Sequence, residues 1–285
     1  MMNSYRAGWL LLFGFVSIPS DLLAADSTPE QRAAHRLRMA ELSQTVVIEE
    51  LTGDKPLPAA RGKQPLLVYT DNTRQQADAT LWVWTRQNRP VAVMAVELYP
   101  HRPSGPQWLF EVVSLSDHRI SAVRAPELRW TSREPAMTWQ PLDMDPPATT
   151  PARRLIQMRE AVRQFRVFES AVVEGQLALR PMTTPLLRYE HADFGVLDGA
   201  MFAFANGTNP EVLVLIEARR SKGGTHQWQY RLGQMTGGAV TVEYRDNVVW
   251  QQGEADPPAE RASYVNCWVS AGESPTSSKA GEAVK

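Results

Sequence analysis

Residues 198–217 read Asp198-Gly199-Ala200-Met201-Phe202-Ala203-Phe204-Ala205-Asn206-Gly207-Thr208-Asn209-Pro210-Glu211-Val212-Leu213-Val214-Leu215-Ile216-Glu217. Two apolar runs flank the segment Asn206 to Pro210, where Asn, Gly and Pro signal a tight turn. So short a connection implies an antiparallel pair, because parallel strands need a crossover of a dozen or more residues. Side chains alternate across a strand, so Leu213, Leu215 and Glu217 share one face.

The same plan recurs 120 residues earlier. Leu81-Trp82-Val83-Trp84 falls on Met201-Phe202-Ala203-Phe204, Pro90 on Pro210, Glu97 on Glu217, and Gln107-Trp108 on Gln227-Trp228. Upstream, Pro65-Leu66-Leu67-Val68-Tyr69 falls on Pro185-Leu186-Leu187-Arg188-Tyr189. Segments 65–69, 80–85, 91–99, 107–114 and 120–123 are strand candidates, rich in Val, Trp, Phe and Tyr. A helical pattern precedes each set. The first runs from about Thr28 to Gln44 behind an N-terminal signal at Ser27-Thr28-Pro29-Glu30. In the second, Leu155, Met158, Val162 and Phe165 recur at helical spacing after Pro151, with Arg154, Arg159, Arg163 and Arg166 mostly off that stripe. The expectation is an α+β fold built by internal duplication, each half one helix packed on an antiparallel sheet of about five strands. The halves are 26–148, ending in a Pro-rich linker, and 149–270; 271–285 reads as a disordered tail.

Residues 1–25 read as a signal peptide. Arg6 precedes an apolar run of about a dozen residues, too short for the roughly 20 that span a membrane. Ala24 and Ala25 supply small residues near a cleavage point, although the cleavage box is imperfect. The mature chain is expected to be soluble, without a stable membrane span, in the periplasm or outside the cell. Its 30 basic and 31 acidic side chains balance to a net charge of −1, which argues against a nucleic-acid partner. The single Cys267 rules out an intramolecular disulfide and a cysteine-based zinc cluster.

The segments Asp198 to Phe202, Gly207 to Glu211 and Trp228-Gln229-Tyr230, with Met158-Arg159-Glu160 before them, resemble a family of exported bacterial proteins that has no established activity. The resemblance implies export and a double build, and it implies no chemistry.

The catalytic signatures are missing: no Gly-x-Ser-x-Gly elbow, no His-Glu-x-x-His and no Gly-x-x-x-x-Gly-Lys loop. No cofactor or metal is expected, since the five histidines show no i, i+2 or i, i+4 pair. Four residues remain as binding candidates. Glu97 and Glu217 each end an apolar strand row, either lining a cavity with a raised pKa, or reaching solvent at a strand end, or forming an ion pair with an arginine such as Arg219 or Arg220. His101 and His226 fall in equivalent connections. Asp78 and Asp198 read as turn caps. The aromatic rows Trp82/Trp84, Phe202/Phe204, Trp108/Phe110 and Trp228/Tyr230 read chiefly as core facing a helix. The residues favour a non-catalytic binding module that uses the crevice or aromatic face between two repeats for a small apolar ligand or an envelope protein. Alternatives are a structural or interaction component of the cell envelope, and a hydrolase with an unrecognised carboxylate site.

Overall fold

The computed structural model describes residues 27–53, 55–71, 74–133, 137–171, 175–254 and 262–272. The signal-peptide reading and nearly all of the tail reading lie outside these residues. Along the chain come helix α1 (Pro29–Gln44) and strands β1 (Val47–Thr52), β2 (Lys55–Pro58), β3 (Ala60–Arg61), β4 (Leu67–Asp71), β5 (Gln76–Arg86) and β6 (Arg89–Tyr99). There follow β7 (Gln107–Ser114), β8 (Arg119–Arg124), β9 (Leu128–Thr131), β10 (Gln140–Pro141), helix α2 (Pro151–Val162), β11 (Phe165–Ala171) and β12 (Gly175–His191). A 3-10 turn at Ala192–Phe194 leads into β13 (Val196–Asn206), β14 (Asn209–Arg220), β15 (His226–Gln234), β16 (Ala239–Tyr244), β17 (Asn247–Gln252) and β18 (Tyr264–Ser270).

Both helices are capped by threonine. Thr28 and Gln31 form a reciprocal capping box on α1, and Thr150 Oγ1 accepts from the Arg153 N–H at the start of α2. Proline occupies the first turn of each, where its missing N–H costs nothing.

The expected pair of helix-on-sheet halves is not what the chain builds. The described residues are 58 % strand and 14 % helix, arranged in three antiparallel sheets of which one curls into a half-barrel. The sheets have four strands (β2-β1-β8-β9), six (β18-β7-β6-β5-β3, with β4 also on β5) and eight (β10-β15-β14-β13-β12-β11-β16-β17). Main-chain bonding also crosses between the two stretches of sequence. β10 pairs with β15, and β18, from the far end of the chain, pairs with β7.

The extra strand content was hidden by prolines and by phase. Pro56 and Pro58 lie in the edge strand β2, and Pro181 and Pro185 in β12, where proline ordinarily argues against a strand. The register of β12 against β13 jumps between Met182 and Leu187. Such irregularities bend a strand and raise its twist. Before the jump, Arg180 to Met182 still pair with β13, and the pairing with β11 takes in Gly175 to Leu179. Phe165, placed on the helical stripe by spacing, instead opens β11.

Three apolar layers result. Under α1, Met39 and Leu42 meet Trp82, Trp84, Trp108 and Phe110 of the six-stranded sheet and Ile48, Ile120 and Trp130 of the four-stranded one. Under α2, Met158 and Val162 meet Phe202, Phe204 and Trp228 from one side of the eight-stranded sheet and Phe165, Val167 and Val242 from its curled end. The aromatic rows are thus the floor beneath the helices. Between the six- and eight-stranded sheets lies the third layer, aliphatic and filled: Leu81, Val93, Ala95, Val113 and Leu115 against Met201, Ala203, Leu213 and Leu215.

Each helix is also tethered to its sheet through a buried carboxylate. His35 Nδ1 of α1 lies 2.6 Å from Asp78 of β5. Arg154 Nε of α2 donates to Asp198 of β13 at 2.8 Å, and Arg188 adds a bond of 2.7 Å to the same carboxylate. Asp78 and Asp198 are therefore strand residues holding helices, not turn caps.

Candidate functional site

Charged side chains close both ends of the inter-sheet layer, because the alternating rows that supply Val93 and Leu213 run on into charged residues. At one end, Glu97 accepts from the phenols of Tyr69 at 2.7 Å and Tyr99 at 2.9 Å. Beside it, Tyr264 donates to Glu111. Arg74 reaches in to Glu211 and, at 2.9 Å, to Glu169, with Asp71 3.8 Å away. Five carboxyl groups thus share one guanidinium. Burial pushes the pKa of Glu97 up, against the two phenol bonds that favour the charged form. Burial and the neighbouring Glu97 push Glu111 well above the usual range, and burial with Glu169 does the same to Glu211.

The opposite end is rich in arginine. Glu217 accepts from Tyr189 at 2.8 Å and Arg219 at 2.9 Å, and pairs with Arg89 at 3.4 Å. Asp117 bridges Arg89 (2.6 Å) and the fully buried Arg231, and accepts from the Trp139 indole at 3.1 Å. The guanidiniums of Arg231, Arg219 and Arg89 lie 4.5, 4.7 and 5.6 Å from the Trp139 ring centre, within cation–π reach. Although burial works the other way, Arg89 and Arg231 hold the Asp117 carboxyl well below the usual range.

Beside this basic end opens a polar cleft of about 500 Å³, whose walls include Gln87, Asn88, His191, Asp193, Arg220 and His226. Its size is within the range of small-molecule sites. Local geometry builds it. Gln87 and Asn88 turn the β5–β6 hairpin with positive φ (49° and 67°), as a two-residue primed turn requires. His191 caps the 3-10 turn, its Nδ1 accepting from the Phe194 N–H at 3.2 Å. Gly195, at φ 68°, ends that turn, and its carbonyl accepts from the Arg220 N–H at 2.8 Å. A Cβ at Gly195 would stand 3.0 Å from Arg220 Cβ, so glycine permits this approach. An imidazole accepting at Nδ1 carries its proton on Nε2. That Nε2 is buried without a hydrogen-bond partner, in a side chain only 5 % exposed.

The structure separates the four sequence candidates into two pairs. Glu97 belongs to the acidic end, with His101 in the exposed turn after β6. Glu217 belongs to the basic end, with His226 on the cleft wall. Arg89, which pairs with Glu217, and Glu97 lie eight residues apart on β6, about 26 Å of extended backbone, so the two carboxylates sit at opposite ends of the layer. They form no carboxylate pair for acid–base catalysis. For Glu217 the ion-pair reading holds, with Arg219 and Arg89.

Sequence reasoning passed over His191, Glu111, Glu211, Arg89, Arg231 and Arg74. The rule that found Glu97 applies equally to Glu211, which begins the row that Glu217 ends, and to Arg231, two positions before the inward-facing Gly233. No local pattern marks Arg74. Among the described residues, no three His, Cys, Asp or Glu side chains are placed to hold a metal ion. No helix there is long and apolar enough to cross a membrane. The cleft walls carry no Ser, Thr, Cys or Lys to act as a nucleophile. Comparison with family models, with curated proteins and with solved structures finds no match to this chain.

Proposed function

We propose that this protein is a non-catalytic binding module working outside the cytoplasm, and that its ligand is small and polar and sits in the cleft of His191, Arg220 and His226. The observation that carries the reading is the polar cleft of about 500 Å³ itself, walled by Gln87, Asn88, His191, Asp193, Arg220 and His226. The leader-like residues 1–25 support the location. The apolar crevice expected from the sequence is occupied by Val93, Ala95, Leu213, Leu215 and their neighbours, which leaves an apolar ligand no room there.

The cleft has both signs of charge. Arg220 and His226 suit an anionic group, Glu190 and Asp193 a cationic one, and the amides of Gln87 and Asn88 supply hydrogen bonds. That combination fits a zwitterion such as a free amino acid or a short peptide. Thermal-shift measurement across amino acids, di- and tripeptides and neutral sugars tests this. The expected result is stabilisation by zwitterions that is lost in Arg220→Gln and weakened in His191→Ala. Stabilisation by neutral sugars alone, or hits untouched by both variants, would sink the reading.

A further inference from the structure

β18 ends the six-stranded sheet, and among the described residues no strand pairs with its outer side. Its sequence, Tyr264-Val265-Asn266-Cys267-Trp268-Val269-Ser270, has no charge and no proline. Such residues are the usual guards of an open edge. The other edges show them: β2 has Lys55 and two prolines, β9 has Arg129, and β10 is two residues ending in Pro141. β17 is uncharged, but its register slips between Val242 and Glu243. β18 pairs with β7 through seven successive partners without a slip.

The hydrogen-bond phase shows which groups are free. The Ser114 N–H donates to the Ser263 carbonyl, and the Ala271 N–H to the Pro106 carbonyl, both at the ends of the β7–β18 ladder. By the alternation of an antiparallel ladder, residues 265, 267 and 269 direct their main-chain groups at β7. Residues 264, 266, 268 and 270 direct theirs outward. This set is symmetric about Cys267. Two copies related by a twofold axis at Cys267 would pair 266 with 268 and 264 with 270, placing an outward group opposite an outward group at every rung. About eight main-chain hydrogen bonds would form, with the two Cys267 residues facing each other as a non-hydrogen-bonded pair.

We propose that the protein forms a homodimer by antiparallel pairing of β18 with β18 of a second copy, continuing the six-stranded sheet across the interface. Identical edges with a self-complementary set of donors and acceptors give the isologous contact that closed dimers use. Trp268, 37 % exposed, packs edge-on to Tyr99 at 5.0 Å with Arg102 over its ring at 4.3 Å, so the inward side of the edge is held in place.

Size exclusion with light scattering on the full chain, over a concentration series, tests the proposal. The expected mass is twice that of the chain, falling to one chain on dilution. Asn266→Pro removes an N–H that makes no bond among the described residues, so it abolishes the dimer while the far-ultraviolet circular dichroism spectrum stays the same. If that variant fails to fold, Asn266→Lys decides, since it leaves the main chain intact and adds a charge to each copy at the seam. Oxidation with copper–phenanthroline joins the dimer through Cys267: the S–S bond forms as the two thiols release two protons to solvent and one electron to each of two Cu(II) ions. A monomer at every concentration overturns the proposal. So does a dimer that survives both variants, or one that does not cross-link through Cys267.

Discussion

Replacing Glu111 with Gln tests the acidic end of the inter-sheet layer through the sign of its pH dependence. Glu111 is buried, accepts from Tyr264, and has Glu97 and Glu211 as neighbours with Arg74 the nearby cation. Its pKa is raised in the folded chain, so the folded state keeps a proton that the unfolded state releases above a pH of about 4.3. Stability then falls as pH rises through the interval between the unfolded and folded pKa values. The slope is about 1.4 kcal/mol per pH unit for each retained proton. Gln is the neutral isostere, and its carbonyl still accepts from Tyr264. Glu111→Gln should therefore gain stability relative to the parent as pH rises from 5 to 7. Urea unfolding of both chains at the two pH values measures this. An equal difference at pH 5 and pH 7, or a variant weaker at pH 7, would refute the reasoning by showing Glu111 to be a stabilised carboxylate.

Other predictions concern the charged tethers and one close approach. Asp198→Ala strands Arg154 at the buried foot of α2 and should cost about 3–5 kcal/mol, read from denaturant midpoints. Asp117→Asn acts on the opposite limb of the pH profile. The folded pKa of Asp117 is depressed, so its contribution is present at neutral pH and lost as pH falls below the unfolded value of about 3.9. The Asn variant should be weaker at pH 7 and its deficit should shrink as pH falls below about 4, as unfolding at pH 7 and pH 2 would reveal. Gly199→Ala puts a Cβ 2.7 Å from the Tyr189 ring and 3.2 Å from Glu217 Cγ. It should cost about 1–3 kcal/mol in urea unfolding, with a shift in tyrosine absorbance as Tyr189 leaves Glu217.

Much of the local order was legible. Alternation put Trp82 and Trp84 on one face and Phe202 and Phe204 on another, and both rows lie beneath a helix. It also marked Glu97 as the charged end of an apolar row. What the sequence hid is long-range or against type. Proline at 56, 58, 181 and 185 masked strands that tolerate it at an edge or a bend. Helical spacing carried Phe165 one turn too far, because an apolar residue fits an inward strand position as well as a helical stripe. Arg154 reads as solvent-facing by spacing, yet Asp198 gives it a buried partner 44 residues away. The pairing of β10 with β15 and of β18 with β7 leaves no local trace, since an edge strand is specified by the partner it finds. Two carboxylates that looked equivalent in sequence ended at opposite ends of the layer, because β6 and β14 run their charged ends to opposite sides of it.

The central claim is that this chain binds a small polar ligand in the cleft at His191, with its apolar interior closed. Comparing the native and denaturing masses of the protein from its producing cells, before and after adding the best zwitterion from the thermal-shift panel, tests it most directly. The account predicts one small polar molecule per chain, released on denaturation and missing from Arg220→Gln. A lipid or other apolar mass, or a chain that stays bare even with the zwitterion in excess, would contradict it.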